Sequence, residues 1–240
     1  MKFKHLLLFT IIFTVSTFSF GQDFLQGYDS YSTKADSYLY LTDGTEVVGQ
    51  VKNVKRKKGL IDYVKFKVNG ETVKYMASDV SHMYLKPSKL EKFSKSMDNA
   101  FDVTERDKDR SINEGFIKEG YIYYETVTVK LKKSEKTLLM QLVNPGFSGQ
   151  IKVYYDPWAN ETASAGIGGM KLAGGDAKSY YVQHGDAIAY KLKKKNYDDD
   201  LKNLYGDCNI ADGFEGKVKW KDFAKHIVYA SSNCASMTDR

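Results

Sequence analysis

The sequence predicts a mainly β protein of the α+β class. We expect a small five-stranded barrel-like unit, a connecting helix, and then an antiparallel β-sheet with two C-terminal helices. Eighteen tyrosines enrich the chain in residues that favour strands. Short alternating segments are separated by tight-turn signals such as Asp43-Gly44 and Asn69-Gly70. With only three prolines in the chain, a proline-rich linker or stalk is not expected.

The N-terminus has the three-part layout of a secretory signal. Lys2 and Lys4 precede an uncharged, largely apolar run over residues 6–20, and small residues follow at Ser19 and Gly21. The run of about fifteen residues is short for a bilayer, which needs roughly twenty. We therefore expect residues 1–21 to be cleaved. The mature protein would be exported to the periplasm, the cell surface or the medium, with no transmembrane segment.

After an N-terminal tail over residues 22–36, residues 37–87 are predicted to form the first β unit. Five short strands are expected, over 38–41, 46–54, 61–68, 71–76 and 81–85. The segments 41–44, 48–51 and 78–83 resemble those of small SH3-like or Sm-like barrels. Sm-like proteins bind RNA through an Ile-Arg-Gly element that this chain lacks, so no nucleic-acid partner is expected.

Residues 88–111 are predicted to form a helical connector. Ser88 and Glu91 have the spacing of a capping box, and Leu90, Phe93 and Met97 fall on one helix face. This face would either bind a partner or pack on one of the sheets, and packing is the commoner role. The charged stretch that follows the helix predicts a domain boundary.

Residues 112–240 are predicted to form the second unit. Strands are expected over 120–131, 137–143, 149–155, 179–183 and 187–192, with a long irregular loop over 156–176. Two helices follow: Asn196 is expected to cap the first and Gly206 to end it. Trp220 begins the apolar stripe of the second.

Cys208 and Cys234 are predicted to form a disulfide that ties the two helix ends together. In an oxidising compartment a lone pair of cysteines is typical of one disulfide, which here would contribute about 3–4 kcal/mol in the chain-entropy model. The alternative is a catalytic cysteine acting with His226. Nothing beside either cysteine indicates a lowered thiol pKa.

The C-terminal part is similar to a group of exported Gram-negative proteins of unassigned function. The similarity lies in residues 120–125, in Tyr180-Tyr181-Val182 before Gly185-Asp186, in Asp207-Cys208, and in Cys234. That group usually has proline after the first cysteine, where this chain has Asn209. The resemblance implies export and a sheet with terminal helices, and it implies no activity.

No complete catalytic or metal-binding motif is found. Lys171 interrupts a dinucleotide-loop pattern, and Gln150 replaces the last glycine of a nucleophile elbow. His82, His184 and His226 do not have ligand spacing, and a surface or turn role is expected for each. We therefore predict no catalytic residue, no metal and no cofactor.

Two lysine clusters, residues 52–58 and 191–195, have two interpretations. With neighbouring tyrosines they would attract a polyanion, such as acidic polysaccharide or lipid headgroups. Alternatively they are solvated strand ends, where lysine discourages edge pairing. The second interpretation is favoured from sequence.

The candidate ligand-binding residues are Trp158, Tyr154, Tyr155 and His184. Trp158 lies in the long loop, close to Tyr154 and Tyr155 at the end of the preceding strand, and exposed aromatic rings can stack on sugars. The preferred prediction is a non-enzymatic binding or structural module, whose partner is a polysaccharide or another envelope protein. Alternatives are a carbohydrate-binding accessory protein that uses Trp158, and a hydrolase with two carboxylates about 5–9 Å apart in space.

Overall fold

The computed structural model describes residues 24–88, 109–159, 165–167, 170–173, 177–214 and 216–234. The strands are β1 Asp36–Leu41, β2 Glu46–Lys57, β3 Leu60–Val68, β4 Glu71–Met76, β5 Val80–Leu85, β6 Ile122–Leu131, β7 Ser134–Gln141, β8 Ile151–Tyr155, β9 Ala165–Ile167, β10 Met170–Ala173, β11 Ser179–His184 and β12 Tyr190–Lys193. The α-helices are α1 Glu114–Lys118, α2 Tyr197–Tyr205 and α3 Phe223–Asn233. The predicted signal peptide and connecting helix lie outside the described residues.

Six antiparallel strands close into a barrel in the order β2–β1–β5–β6–β7–β3, and β3 pairs back onto β2. The closing contact between β3 and β7 is the pair Ile61 and Leu139. Strand β4 lies outside the ring and pairs with β3. The ring therefore differs in detail from the expected five-stranded unit over 37–87, because β6 and β7 from the later segment complete it.

Two hairpins of the barrel are set by residues in the left-handed region. Lys58 and Gly59 have φ of 54° and 87°, and Asn69 and Gly70 have φ of 49° and 91°. Positive φ at both central residues is the geometry of a two-residue type I′ turn, whose twist matches that of the strands it joins. These turns fix the register of β2 on β3 and of β3 on β4.

One hydrophobic core runs through the barrel and the C-terminal part. Side chains that alternate along the strands, such as Val64 and Phe66 on β3, are fully buried inside the barrel. Tyr197 and Phe223 on the helices belong to the same cluster. The aromatic residues that predicted strands thus also supply the core.

The second sheet has the strand order β12–β11–β8 and is antiparallel. It joins the barrel through two bridges, Leu142 with Tyr154 and Val129 with Ala189. Within the stretch predicted to be irregular, β9 and β10 form a separate hairpin. The predicted mainly β fold class, with a second antiparallel sheet and two C-terminal helices, is confirmed.

The two C-terminal helices end as the sequence predicts, and the cysteines follow them. Gly206, at φ 62°, ends α2, and Cys234 follows the last residue of α3. Cys208 and Cys234 lie at disulfide distance, with Cα atoms 5.7 Å apart. The expected cap differs, because Asn196 makes no side-chain capping bond and ends a 3₁₀ turn instead.

His226 corrects the expectation of a surface or turn role for each histidine. Its side chain is buried on α3, its Nδ1 lies 2.7 Å from the Tyr197 hydroxyl, and Phe214 packs edge-on against the ring. Burial lowers the pKa of His226 to about 4. The residue was mispredicted because Tyr197 of α2 and Phe214 cover this face of α3.

The segment predicted as an N-terminal tail is tied to both β units. The Leu25 N–H donates to the Val143 carbonyl, and the Tyr28 N–H donates to the Gln141 side chain. Tyr31 forms a bridge with Pro87 at the end of β5. The chain between Leu25 and Tyr31 therefore forms part of the surface beside β7 and β8.

Candidate functional site

Trp158 is the most exposed large hydrophobic residue in the part of the chain that the structure describes. Its side chain is 59 % exposed. The indole lies against the β2–β3 turn, where a Cβ on Gly59 would be 3.3 Å from both Cδ1 and Nε1. The Lys58 ammonium lies 5.8 Å from the ring centroid. Trp158 is thus an exposed aromatic ring held against the β2–β3 turn, with the Lys58 ammonium over one of its faces.

A buried carboxylate fixes the backbone beneath Trp158. Asp156, 1 % exposed, accepts hydrogen bonds from the Trp158 N–H at 3.1 Å and from the Ser179 hydroxyl at 2.6 Å. Lys191 forms an ion pair with the same carboxylate at 2.7 Å. Burial alone would lower the pKa of Lys191, but Asp156 outweighs it and the pKa is raised. The start of the loop is therefore a rigid attachment for the exposed ring.

Tyr155 joins this region to the N-terminal segment. A Cβ on Gly27 would lie 2.2 Å from the Tyr155 ring, so the close approach requires glycine. The Tyr155 hydroxyl lies 3.4 Å from Asp29, which is 3.5 Å from Arg56. Arg56 in turn donates to the Tyr31 hydroxyl at 2.8 Å. Tyr155 is half-buried and contributes to structure on this side of Trp158.

The other two candidate residues lie away from the exposed surface. Tyr154 is fully buried, and its hydroxyl lies 2.8 Å from Glu125 Oε1 and 2.7 Å from Gln183 Oε1. Burial, followed by the Glu125 charge, raises its pKa well above the usual value. His184, at the end of β11, is half-buried, and burial lowers its pKa. Tyr154 is thus inside the protein, and His184 pairs with Ile151 at the start of β8, whereas Trp158 follows the end of that strand.

The hydrolase alternative requires two neighbouring carboxylates, one acting as general acid and one as general base. Glu125 and Asp109 are neighbouring carboxylates, since both contact the Lys152 ammonium, at 2.8 Å and 3.1 Å. Burial would raise the pKa of Asp109, but hydrogen bonds from Ser111 and the charge of Lys152 outweigh it and the pKa is lowered. A general acid needs a raised pKa. This pair is therefore arranged as a structural ion-pair network.

A cavity of about 490 Å³ lies at the barrel end beside β1 and β5. Its lining residues are Tyr40, Leu41, Thr42, Gly44, Val80, Ser81, His82 and Thr126. The His82 ring stacks on Tyr40 with centroids 4.5 Å apart. Burial lowers the pKa of His82, and the Glu125 charge opposes that effect. The imidazole packs among aromatic rings, and its Nδ1 lies 3.2 Å from the hydroxyl of the neighbouring Ser81.

The described residues contain no group of three or more histidine, cysteine or acidic side chains arranged to hold a metal ion. In the same part of the chain, none of the helices is long and apolar enough to cross a membrane.

No family model matches this chain, and neither a curated protein nor a solved structure shows significant similarity to it. Function is therefore inferred from the side chains described above.

Sequence reasoning identified Trp158 but missed the residues that hold it in place. Of these residues, Asp156 was the most predictable from sequence, since aspartate often accepts a hydrogen bond from the backbone N–H two residues later. Lys191 and Ser179 come from strands β12 and β11, and only the folded sheet brings them to Asp156. Asp29 belongs to the predicted tail, where no pattern indicated a contact.

Proposed function

We propose that this protein is an exported binding protein that holds a saccharide against Trp158. The observation that carries the proposal is the exposed indole, 59 % accessible, on a loop start anchored by the buried Asp156. Tryptophan offers a large, rigid apolar surface and is among the residues most enriched as binding anchors.

The chemistry of the surface suits a sugar ring. Pyranose rings have an apolar face that stacks on an indole, and their hydroxyls accept and donate hydrogen bonds at the ring edge. Because the Trp158 backbone is already held by Asp156, little conformational entropy would be lost on binding. Lys58, 5.8 Å from the ring centroid, supplies donors beside the stacked sugar.

Export is part of the same proposal. The signal-like residues 1–21 support it, and so does the cysteine pair Cys208 and Cys234 at disulfide distance, since disulfides persist in oxidising compartments. The protein would then meet polysaccharides of the envelope or the surroundings.

The test is native affinity electrophoresis of the mature protein in gels that contain neutral polysaccharides, such as a β-glucan, a xylan and a mannan. We expect at least one polysaccharide to retard the protein. Trp158→Ala should weaken retardation by about tenfold, since stacked aromatic contacts contribute about 0.5–1.5 kcal/mol beyond area burial. Trp158→Phe should keep part of the effect.

Ile188→Ala is the matched control, because Ile188 is also an exposed apolar side chain at 43 % and lies on a different turn. It should behave as the wild type. Retardation that is absent with every polysaccharide, or equal for the wild type and Trp158→Ala, would remove the saccharide proposal.

A further inference from the structure

The outer face of strands β2, β3 and β4 is rich in lysine. Side chains two apart on a strand share a face, and so do residues paired across strands. Lys65 pairs with Asn53 on β2 and with Lys74 on β4, while Tyr63 pairs with Lys55. The face also includes Lys67, two residues after Lys65. We call Lys55, Lys65, Lys67 and Lys74, together with Tyr63, the lysine face.

The opposite face of the same strands is the barrel core. Val64 and Phe66 alternate with the lysines on β3 and are fully buried. Because side chains alternate along a strand, the lysine face points to solvent. Lys55, Lys67 and Lys74 are exposed. Tyr63 lies under the Lys74 ammonium, 4.5 Å from ring centroid to nitrogen.

The charges on this face are not neutralised within the described part of the chain. None of its four lysines forms an ion pair there, whereas Lys152 and Lys191 each contact buried or half-buried carboxylates. Lys65 and Lys74 are also direct cross-strand neighbours. Like charges directly opposite each other destabilise a sheet, so an anion bound across both would relieve that repulsion.

Edge protection does not account for the arrangement. Lysine on an edge strand discourages pairing with another chain, and this explains Lys74 on β4. Lys65 and Lys67 are on β3, which is paired with β2 on one side and β4 on the other. Lys55 is on β2, which lies between β1 and β3. These three lysines are on interior strands, where no edge needs protection.

We infer that the lysine face is a binding surface for an acidic polysaccharide that carries carboxylate groups. A linear polyanion fits several flexible ammonium groups spread over neighbouring strands better than a single compact anion does. A membrane surface would favour several apolar anchors among the lysines. Among the described residues, the outer face of these strands has a single exposed large apolar side chain, Val48, two residues before Gln50, which pairs with Lys67. The inference does not depend on Trp158.

The experiment measures binding of the mature protein to polygalacturonate, with its fully methyl-esterified, uncharged form as the ligand control. We expect binding to polygalacturonate alone, weakened by added salt because exposed charges are screened. The variant Lys65→Gln/Lys74→Gln should bind about 25-fold more weakly, since each lysine near an anionic surface contributes on the order of a factor of five.

The matched control is Lys133→Gln/Lys136→Gln, which removes the same charge from two exposed lysines of the β6–β7 hairpin. It should stay within about twofold of the wild type, since distant exposed charges are screened. Equal losses in both double variants, or no binding to polygalacturonate, would overturn the inference. Binding only to phosphatidylserine-containing vesicles would overturn it in favour of a membrane surface.

The Trp158 proposal is tested separately. Trp158→Ala should leave polygalacturonate binding on the lysine face within about twofold, because it removes no charge. Loss of this binding in Trp158→Ala but not in Lys65→Gln/Lys74→Gln would overturn the inference and place the acidic ligand at Trp158.

Discussion

Tyr154 and Trp158 stand four positions apart, yet they lie in opposite environments. Tyr154 is fully buried, and its hydroxyl contacts Glu125 and Gln183. Trp158 is 59 % exposed, and its Cδ1 and Nε1 lie against Gly59 of the β2–β3 turn. Closely spaced aromatic residues therefore need not share a surface. Tyr154, within strand β8, belongs to the core, whereas Trp158, after the end of this strand, is accessible to a ligand.

A carboxylate paired with a lysine holds each of these two aromatic residues in place, but the two carboxylates hold different groups. Glu125 pairs with Lys152 and holds the hydroxyl of a buried ring. Asp156 pairs with Lys191 and holds the backbone of an exposed ring. The first carboxylate stabilises the joint between barrel and second sheet. The second positions the surface on which we propose that a saccharide binds.

The largest effect is expected from Asp156→Ala. The substitution leaves Lys191 without its carboxylate and the Ser179 hydroxyl without its acceptor in a buried site. We expect the free energy of unfolding to fall by about 3 kcal/mol, measured by urea denaturation. Saccharide binding should fall as well, because the Trp158 N–H loses its partner.

Asp156→Asn sharpens this prediction, since it keeps a side-chain acceptor but removes the charge, and it should lose less stability. Asp186→Ala is the matched control at an exposed aspartate of the β11–β12 turn and should change stability by no more than about 0.5 kcal/mol. An Asp156→Ala protein as stable as the wild type would show that the anchor is not needed.

A smaller effect is expected from Tyr154→Phe. The ring stays buried, but Glu125 and Gln183 lose a hydroxyl partner within 2.8 Å. We expect a loss of about 1–2 kcal/mol in urea denaturation, with saccharide binding unchanged. The result would separate the buried ring from the exposed one by a stability effect without a binding effect.

Tyr155→Phe is the neighbouring control, because its hydroxyl lies 3.4 Å from Asp29 at an exposed contact. Its cost should stay near or below about 0.5 kcal/mol. If Tyr154→Phe weakened saccharide binding as much as Trp158→Ala, the division between the two regions would be wrong.

Much of the fold was predictable because its signals are local. Alternation and the Asn69-Gly70 turn predicted β3 and β4, and Gly206 marked the end of α2. Closure of the barrel was not predictable, because the pair Ile61 and Leu139 joins residues far apart in sequence. No local pattern records which late strand meets β3.

The candidate site was predictable in its ligand-facing residue and not in its supports. Trp158 was identified because it lies in a long loop, where an exposed aromatic ring can stack on a sugar. Tyr154 was grouped with it, although strand β8 continues to Tyr155 and buries Tyr154. The lysine cluster over 52–58 was recognised, but its continuation onto β3 and β4 depends on cross-strand pairing.

The central claim is that a saccharide binds on Trp158. Acrylamide quenching of tryptophan fluorescence, with and without a saccharide that binds the protein in the electrophoresis test, tests it most directly. The chain has two tryptophans, and Trp220 is only 6 % exposed, so accessible emission comes from Trp158. We predict strong quenching of the free protein, protection when the saccharide is bound, and no such component in Trp158→Phe. Quenching that is unchanged by a retained saccharide would contradict the account.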